Sequence, residues 1–123
     1  MAENVEKIVI IGTHGGEDPE RASLPFVVAN AALAMDVQVT VILQGYAVTL
    51  VQKGVNEHIF AGGLPPLKEL MDSYFGQGGK ILVCTPCIKE RKIGEGMLLE
   101  GATAIAAARV VQECLEANST LNY

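Results

Sequence analysis

Tryptophan is absent from this sequence, and three phenylalanines and three tyrosines are its whole aromatic complement. Alanine, valine, isoleucine and leucine dominate the apolar half of the chain, which suits helices packed on a sheet better than a loop-rich disulfide scaffold. Three cysteines make no disulfide framework either. A basic excess is also missing: nine Lys and Arg face fourteen Asp and Glu, a net charge of -5. That balance argues against nucleic acid and against an acidic membrane surface as partners. No apolar run approaches the ~20 residues that span a bilayer. The opening Met1–Lys7 is polar and lacks the basic region and apolar run of a secretion signal. The expectation is a cytoplasmic protein in a reducing compartment, with its 123 residues forming one domain over 1–123.

A phosphate-binding loop is lacking too. Lys7 to Gly12 is a continuous apolar run ended by glycine, as in a strand covered on both faces. The glycines that follow it, Gly12, Gly15 and Gly16, fit neither the dinucleotide fingerprint nor the P-loop, and Glu17 and Asp18 repel a phosphate. No cofactor is expected. His14 lies at the carboxyl end of this strand, either as a solvated loop residue or facing the same cleft as the cysteines discussed below.

The remaining elements follow from periodicity. Asp18-Pro19 starts a helix, with Ser23 and Pro25 as an alternative start, running to about Met35 with the stripe Leu24, Val27, Val28, Ala31 and Met35. Val37 to Leu43 is a second strand, implying a parallel crossover. A short helix over Ala47 to Lys53 ends at Gly54, and Asn56 to Gly63 is loop, with His58 on the surface. Pro65-Pro66 opens a helix whose Leu67, Leu70, Met71 and Tyr74 recur at core spacing. Lys80 to Cys84 is a central strand. Met97-Leu98-Leu99 is a short strand or loop packing. Thr103 to about Ala117 reads as an alanine-rich helix that buries Ala104, Ala107, Ala108, Val111, Cys114 and Leu115, and Ser119 to Tyr123 as an edge strand. This order predicts an α/β three-layer sandwich with a mainly parallel sheet of four to five strands.

Chemistry concentrates where the central strand ends. Cys84-Thr85-Pro86-Cys87 stops the ladder, because Pro86 has no N–H to give, and open α/β sheets keep their working residues beyond the carboxyl ends of strands. Lys89, Arg91 and Lys92 follow, opposed only by Glu90, an excess that favours thiolate over thiol. Cysteine also packs as a small hydrophobe. Two cysteines at this spacing, followed by cations, favour chemistry. A structural zinc site is the weakest option, since it needs four ligands and only Cys114, His14 and His58 remain, none of them near in sequence.

This segment resembles the DsrE/DsrF-like family, which includes the TusD subunit of the bacterial sulfur relay. The matching pattern is the helix around Leu67-Lys68-Glu69-Leu70, the Gly78-Gly79 turn, the strand Ile81-Leu82-Val83-Cys84, Arg91 seven residues beyond the cysteine, and Ile93. The resemblance extends over nearly the whole chain. It implies a flavodoxin-like or Rossmann-like sandwich, assembly as a trimer or hexamer, and sulfur carried on Cys84 as a persulfide or thiosulfonate. TusA-like or rhodanese-like sulfur carriers are the implied partners, and Arg91 the neighbouring cation. Lys92 stands where a glycine usually follows that arginine. Two further readings stay open: a dithiol–disulfide protein using both Cys84 and Cys87, and a non-catalytic oligomeric subunit.

Overall fold

Among the described residues, five strands form one sheet in the order β4-β3-β2-β1-β5, and every neighbouring pair is parallel. They are β1 (Lys7–Gly12), β2 (Gln38–Leu43), β3 (Lys80–Cys84), β4 (Ala102–Ile105) and β5 (Ser119–Asn122). Parallel neighbours require crossovers, supplied by α1 (Pro19–Ala34), α2 (Leu67–Gly76), α3 (Thr85–Glu90) and α4 (Ala107–Glu116), with 3-10 turns at Gly45–Val51, Asn56–His58 and Glu95–Met97. This computed structural model describes residues 5–123; Met1–Asn4, on which part of the expected absence of a secretion signal rests, lie outside the described residues. Among the described residues no helix is long and apolar enough to cross a membrane.

Strand alternation splits the core in two. Ile10, Val41, Leu43, Ile81 and Val83 join Phe26 of α1, Leu67, Met71 and Tyr74 of α2 and Ile88 of α3. On the other face Val9, Ile42, Leu82 and Ile105 meet Val110, Cys114 and Ala117 around α4. The three layers are therefore α1, α2 and α3, the sheet, and α4. Asp18 caps α1 as expected, its Oδ1 accepting from the Arg21 amide at 3.1 Å, with Pro19 at the first helical position. The fully buried apolar face of α1 is Ala22, Phe26, Ala29 and Ala32; of the expected stripe, Val27 and Val28 pack against the core partly buried, while Ala31 is exposed and Met35 is 74% exposed. Alanines on that face let the helix approach closely enough for Phe26 to insert.

The expected long last helix is divided. Ala102 to Ile105 extends alongside β3, and only Ala107 onward is helical. Pairing with the edge of β3 overrides the helical preference of alanine. The expected buried stripe also fails: Ala107 and Ala108 are exposed, as are Val111 and Leu115, the last at 81%. The residue turned inward is Glu113, 6% exposed. Lys7 Nζ lies 3.0 Å and Arg109 Nε 2.7 Å from its carboxylate, and Thr40 Oγ1 donates to it at 3.3 Å. Cys114 packs against the sheet, as expected. Met97 to Leu99 contributes a single antiparallel bridge, Leu98 to Gln52, and the expected loop from Asn56 includes a 3-10 turn.

This ion cluster ties α4 to β1 and β2. Burial alone raises the Glu113 carboxyl, but the hydrogen bonds from Arg109 and Lys7 outweigh it and hold the group below its ordinary value of 4.5. The unfolded chain then binds more protons than the native one in mild acid, so the contribution is full above about pH 5 and fades as pH falls through 4.5 and below. Glu113→Gln is expected to lower stability by about 1–3 kcal/mol at pH 7 and to flatten the acid limb of a urea-denaturation series. An acid limb as steep as wild type would show that other carboxylates govern it.

Candidate functional site

Cys84 is both the last residue of β3 and the residue from which α3 starts, so strand passes into helix without a loop. Pro86 sits in the first turn of α3, where its missing N–H has no intrahelical partner to lose. Cys87 follows in the same turn. Where the sequence shows only the end of a strand, the chain forms a short helix that presents both cysteines side by side. Thr85 Oγ1 donates to the Ile105 carbonyl at 2.7 Å, and Ile88 and Ile93 are buried, so both ends of α3 are held.

The two sulfurs are 2.7 Å apart, with the Cys87 thiol donating to Cys84. That is about 0.7 Å more than a disulfide bond. The Gly45 amide, just beyond the carboxyl end of β2, donates to the Cys87 sulfur at 3.3 Å. Both thiols are free and half-buried. Gly45 has φ +58, which lets the chain turn its amide toward the pair.

Arg91 is not directed at the sulfurs. Its Nη1 donates to the Cys87 carbonyl at 3.1 Å, and its guanidinium carbon lies 5.8 Å from the centroid of the Tyr46 ring. Tyr46 is held from the far side by Gly15, where a Cβ would come within 2.8 Å of the Tyr46 carbonyl and 2.9 Å of its ring. The α3 terminus explains the placement. Lys92 amide to Lys89 carbonyl and Ile93 amide to Ile88 carbonyl form a Schellman motif, with Lys92 at φ +56. Lys92 thus occupies the left-handed position that glycine accepts most easily.

The expected thiolate activation does not follow. Burial pushes the Cys84 thiol above its ordinary value, and the Cys87 side chain adds to the rise; the Cys87 backbone amide and, last in size, Arg91 oppose it. Arg91 reaches the pair only through a weak field, and Lys89 and Lys92 point into solvent at the exposed end of α3. His14 is engaged elsewhere: its Nδ1 lies 2.7 Å from Glu17, whose carboxyl it holds below the ordinary value.

Tyr46 and Gly45 were not singled out in the sequence. Their one available signal was position, at the carboxyl end of the strand beside β3. Tyr46 also lines a cavity of about 530 Å3 with Pro19, Val55, Ile59 and Phe60, and His58 stands at its rim, 78% exposed. Among the described residues no group of three His, Cys, Asp or Glu side chains converges as metal ligands.

The model of the DsrE/DsrF-like family matches residues 6–123. An uncharacterized protein of Methanocaldococcus jannaschii, MJ0760, is 31% identical over 97 residues, covering 79% of this chain; the chain spans 35% of that relative's length. Among solved structures, the ychN protein of E. coli superposes with a TM-score of 0.82 at 20% identity, covering 97% of this chain and all of that one. MTH1491 from Methanobacterium thermoautotrophicum, a protein of unknown function, superposes with a TM-score of 0.75 at 14% identity, over 98% of this chain and all of its own. Both likenesses bear out the α/β sandwich.

Proposed function

The chain belongs to the DsrE/DsrF-like family, and on that premise we propose that it is a sulfur-relay protein that carries sulfur covalently on Cys84. One observation carries the reading: Cys84 ends a central strand at the carboxyl edge of the sheet, half-buried yet free, on a rigid strand-to-helix junction. Covalent carriage needs an accessible thiol held in a fixed place and no cofactor. The Cys84 thiolate attacks the outer sulfur of a donor persulfide, the donor leaves as a thiol, and Cys84 holds the sulfur for an acceptor. Arg91, stacked on Tyr46 beside the pair, offers the entering anionic sulfur a cation without pairing with it beforehand.

TusA-like or rhodanese-like carriers in the cytoplasm are the donors and acceptors in this reading. A homo-oligomer belongs to it as well, supported by Val111 and Leu115, which α4 turns away from its own sheet. A dithiol–disulfide protein that carries no sulfur is the second reading, favoured by the 2.7 Å separation of the thiols.

The two readings separate in a protein that cannot form the disulfide. Reduced Cys87→Ser is incubated with glutathione persulfide, digested with trypsin and mapped by mass. Carriage predicts a dithiothreitol-reversible gain of about 32 Da per sulfur on the peptide Ile81–Lys89, and none on the peptide holding Cys114. No gain on Ile81–Lys89, with that thiol still open to alkylation in the folded protein, would overturn carriage and leave the dithiol and non-catalytic readings.

A further inference from the structure

We propose that Cys87 is a second catalytic nucleophile, which discharges the Cys84 persulfide as sulfide and so makes the protein a persulfide-reducing protein as well as a carrier. This rests on the sulfur-carriage reading. The geometry points to it because the sulfur of Cys84, which becomes the inner sulfur of its persulfide, already lies 2.7 Å from that of Cys87. Attack there forms the Cys84–Cys87 bond and breaks the bond to the outer sulfur, which leaves as hydrosulfide. Attack on the outer sulfur would merely pass the persulfide from one cysteine to the other.

Three features hold the attacking sulfur in place beside Cys84. Cys84 and Cys87 are one turn apart on a helix that begins at Cys84 itself, so no loop motion separates them. The Gly45 amide fixes the Cys87 sulfur from the β2 side. Thr85 on the Ile105 carbonyl and the buried Ile88 and Ile93 keep α3 from swinging away. A disulfide closes here with little backbone movement, because the sulfurs need approach by only about 0.7 Å.

The step balances. In loading, a donor persulfide and the Cys84 thiol give a donor thiol and the Cys84 persulfide. In discharge, that persulfide and the Cys87 thiol give hydrogen sulfide and the disulfide. The two cysteines lose two electrons and the carried sulfur gains them. A dithiol reductant returns the pair to thiols by exchange, and without one each chain turns over once.

The test is a single turnover without added reductant. Reduced wild type, Cys87→Ser and Cys87→Ala are loaded with glutathione persulfide, freed of donor by rapid gel filtration, and followed for released sulfide and peptide mass. The wild type is expected to release about one sulfide per loaded chain and to end with Ile81–Lys89 about 2 Da lighter than its reduced form. Both variants are expected to keep about 32 Da on that peptide and to release sulfide at least roughly tenfold more slowly. A wild type that keeps its added sulfur, or variants that release sulfide as fast as wild type, would overturn the proposal while leaving carriage intact. Variants that never load sulfur would remove the carriage reading, and this one with it.

Discussion

Cys84→Ser is expected to gain essentially no sulfur on the Ile81–Lys89 peptide, under conditions where Cys87→Ser loads fully. The asymmetry comes from how the two thiols are held. The Gly45 amide donates to the Cys87 sulfur at 3.3 Å and holds it toward β2, while Cys84 stands at the carboxyl end of β3. The same thiol sets the pH dependence. Burial pushes Cys84 above its ordinary value of 9.0, so at neutrality it is almost wholly protonated. Below the pKa the thiolate fraction rises about tenfold per pH unit. Alkylation of Cys84 by iodoacetamide in Cys87→Ser is therefore expected to accelerate by about 100-fold between pH 6 and pH 8, with no plateau in that range. Arg91→Ala is expected to slow it by much less than about tenfold, since Arg91 is the smallest of the influences on this thiol. A plateau at or below pH 7 would mean that the cations after Cys87 outweigh burial. Equal sulfur uptake by Cys84→Ser, now on Cys87, would reassign the acceptor.

That thiolate expectation shows where sequence reasoning ends at the site. Spacing alone brings Cys84 and Cys87 together, because residues three apart share a helix face, and the apolar run before them announces the strand end. The charge run after them was legible as charge but not as direction. Lys89 and Lys92 lie at the solvent end of a helix, and the Schellman turn at Lys92 sends Arg91 back over Tyr46. Gly45 and Tyr46 come from the adjacent strand end, some forty residues earlier, and carry no local mark of their role.

The fold divides along the same line. Runs such as Lys7–Gly12 and Lys80–Cys84, and the spacing of Leu67, Leu70, Met71 and Tyr74, state their burial locally, and all four of those helix residues are buried. The last third does not. Ala102–Ile105 is a strand only because β3 has an edge to offer, and Glu113 turns inward because Lys7, 106 residues away, lies opposite it. On α4 the local pattern even points the wrong way: Val111 and Leu115 face out while a carboxylate faces in.

The strand that delivers Cys84 depends on one aromatic at its other end, and Tyr74→Ala is expected to lower stability by about 3–5 kcal/mol in urea denaturation. Tyr74 is fully buried and meets Phe26 edge to face at 5.9 Å. Its hydroxyl donates at 2.7 Å to the carbonyl of Lys80, the first residue of β3, so Tyr74→Phe is expected to lose about 1–3 kcal/mol by stranding that carbonyl. The ring also explains Gly79. A Cβ there would sit 2.5 Å from two ring atoms of Tyr74, a collision between a turn anchored to the Tyr74 carbonyl and a side chain with no room to move. Gly79→Ala is therefore expected to lose about 1–3 kcal/mol by overpacking. Because the two substitutions act on one contact, the loss from Gly79→Ala should nearly vanish in the Tyr74→Ala background, a coupling of about 1–3 kcal/mol in a double-mutant cycle. Additive losses would mean that Gly79 is required by its backbone and not by the ring. Either single variant also frays the start of β3, so sulfur loading at Cys84 should weaken only as the folded fraction falls, which separates scaffold from chemistry at this site.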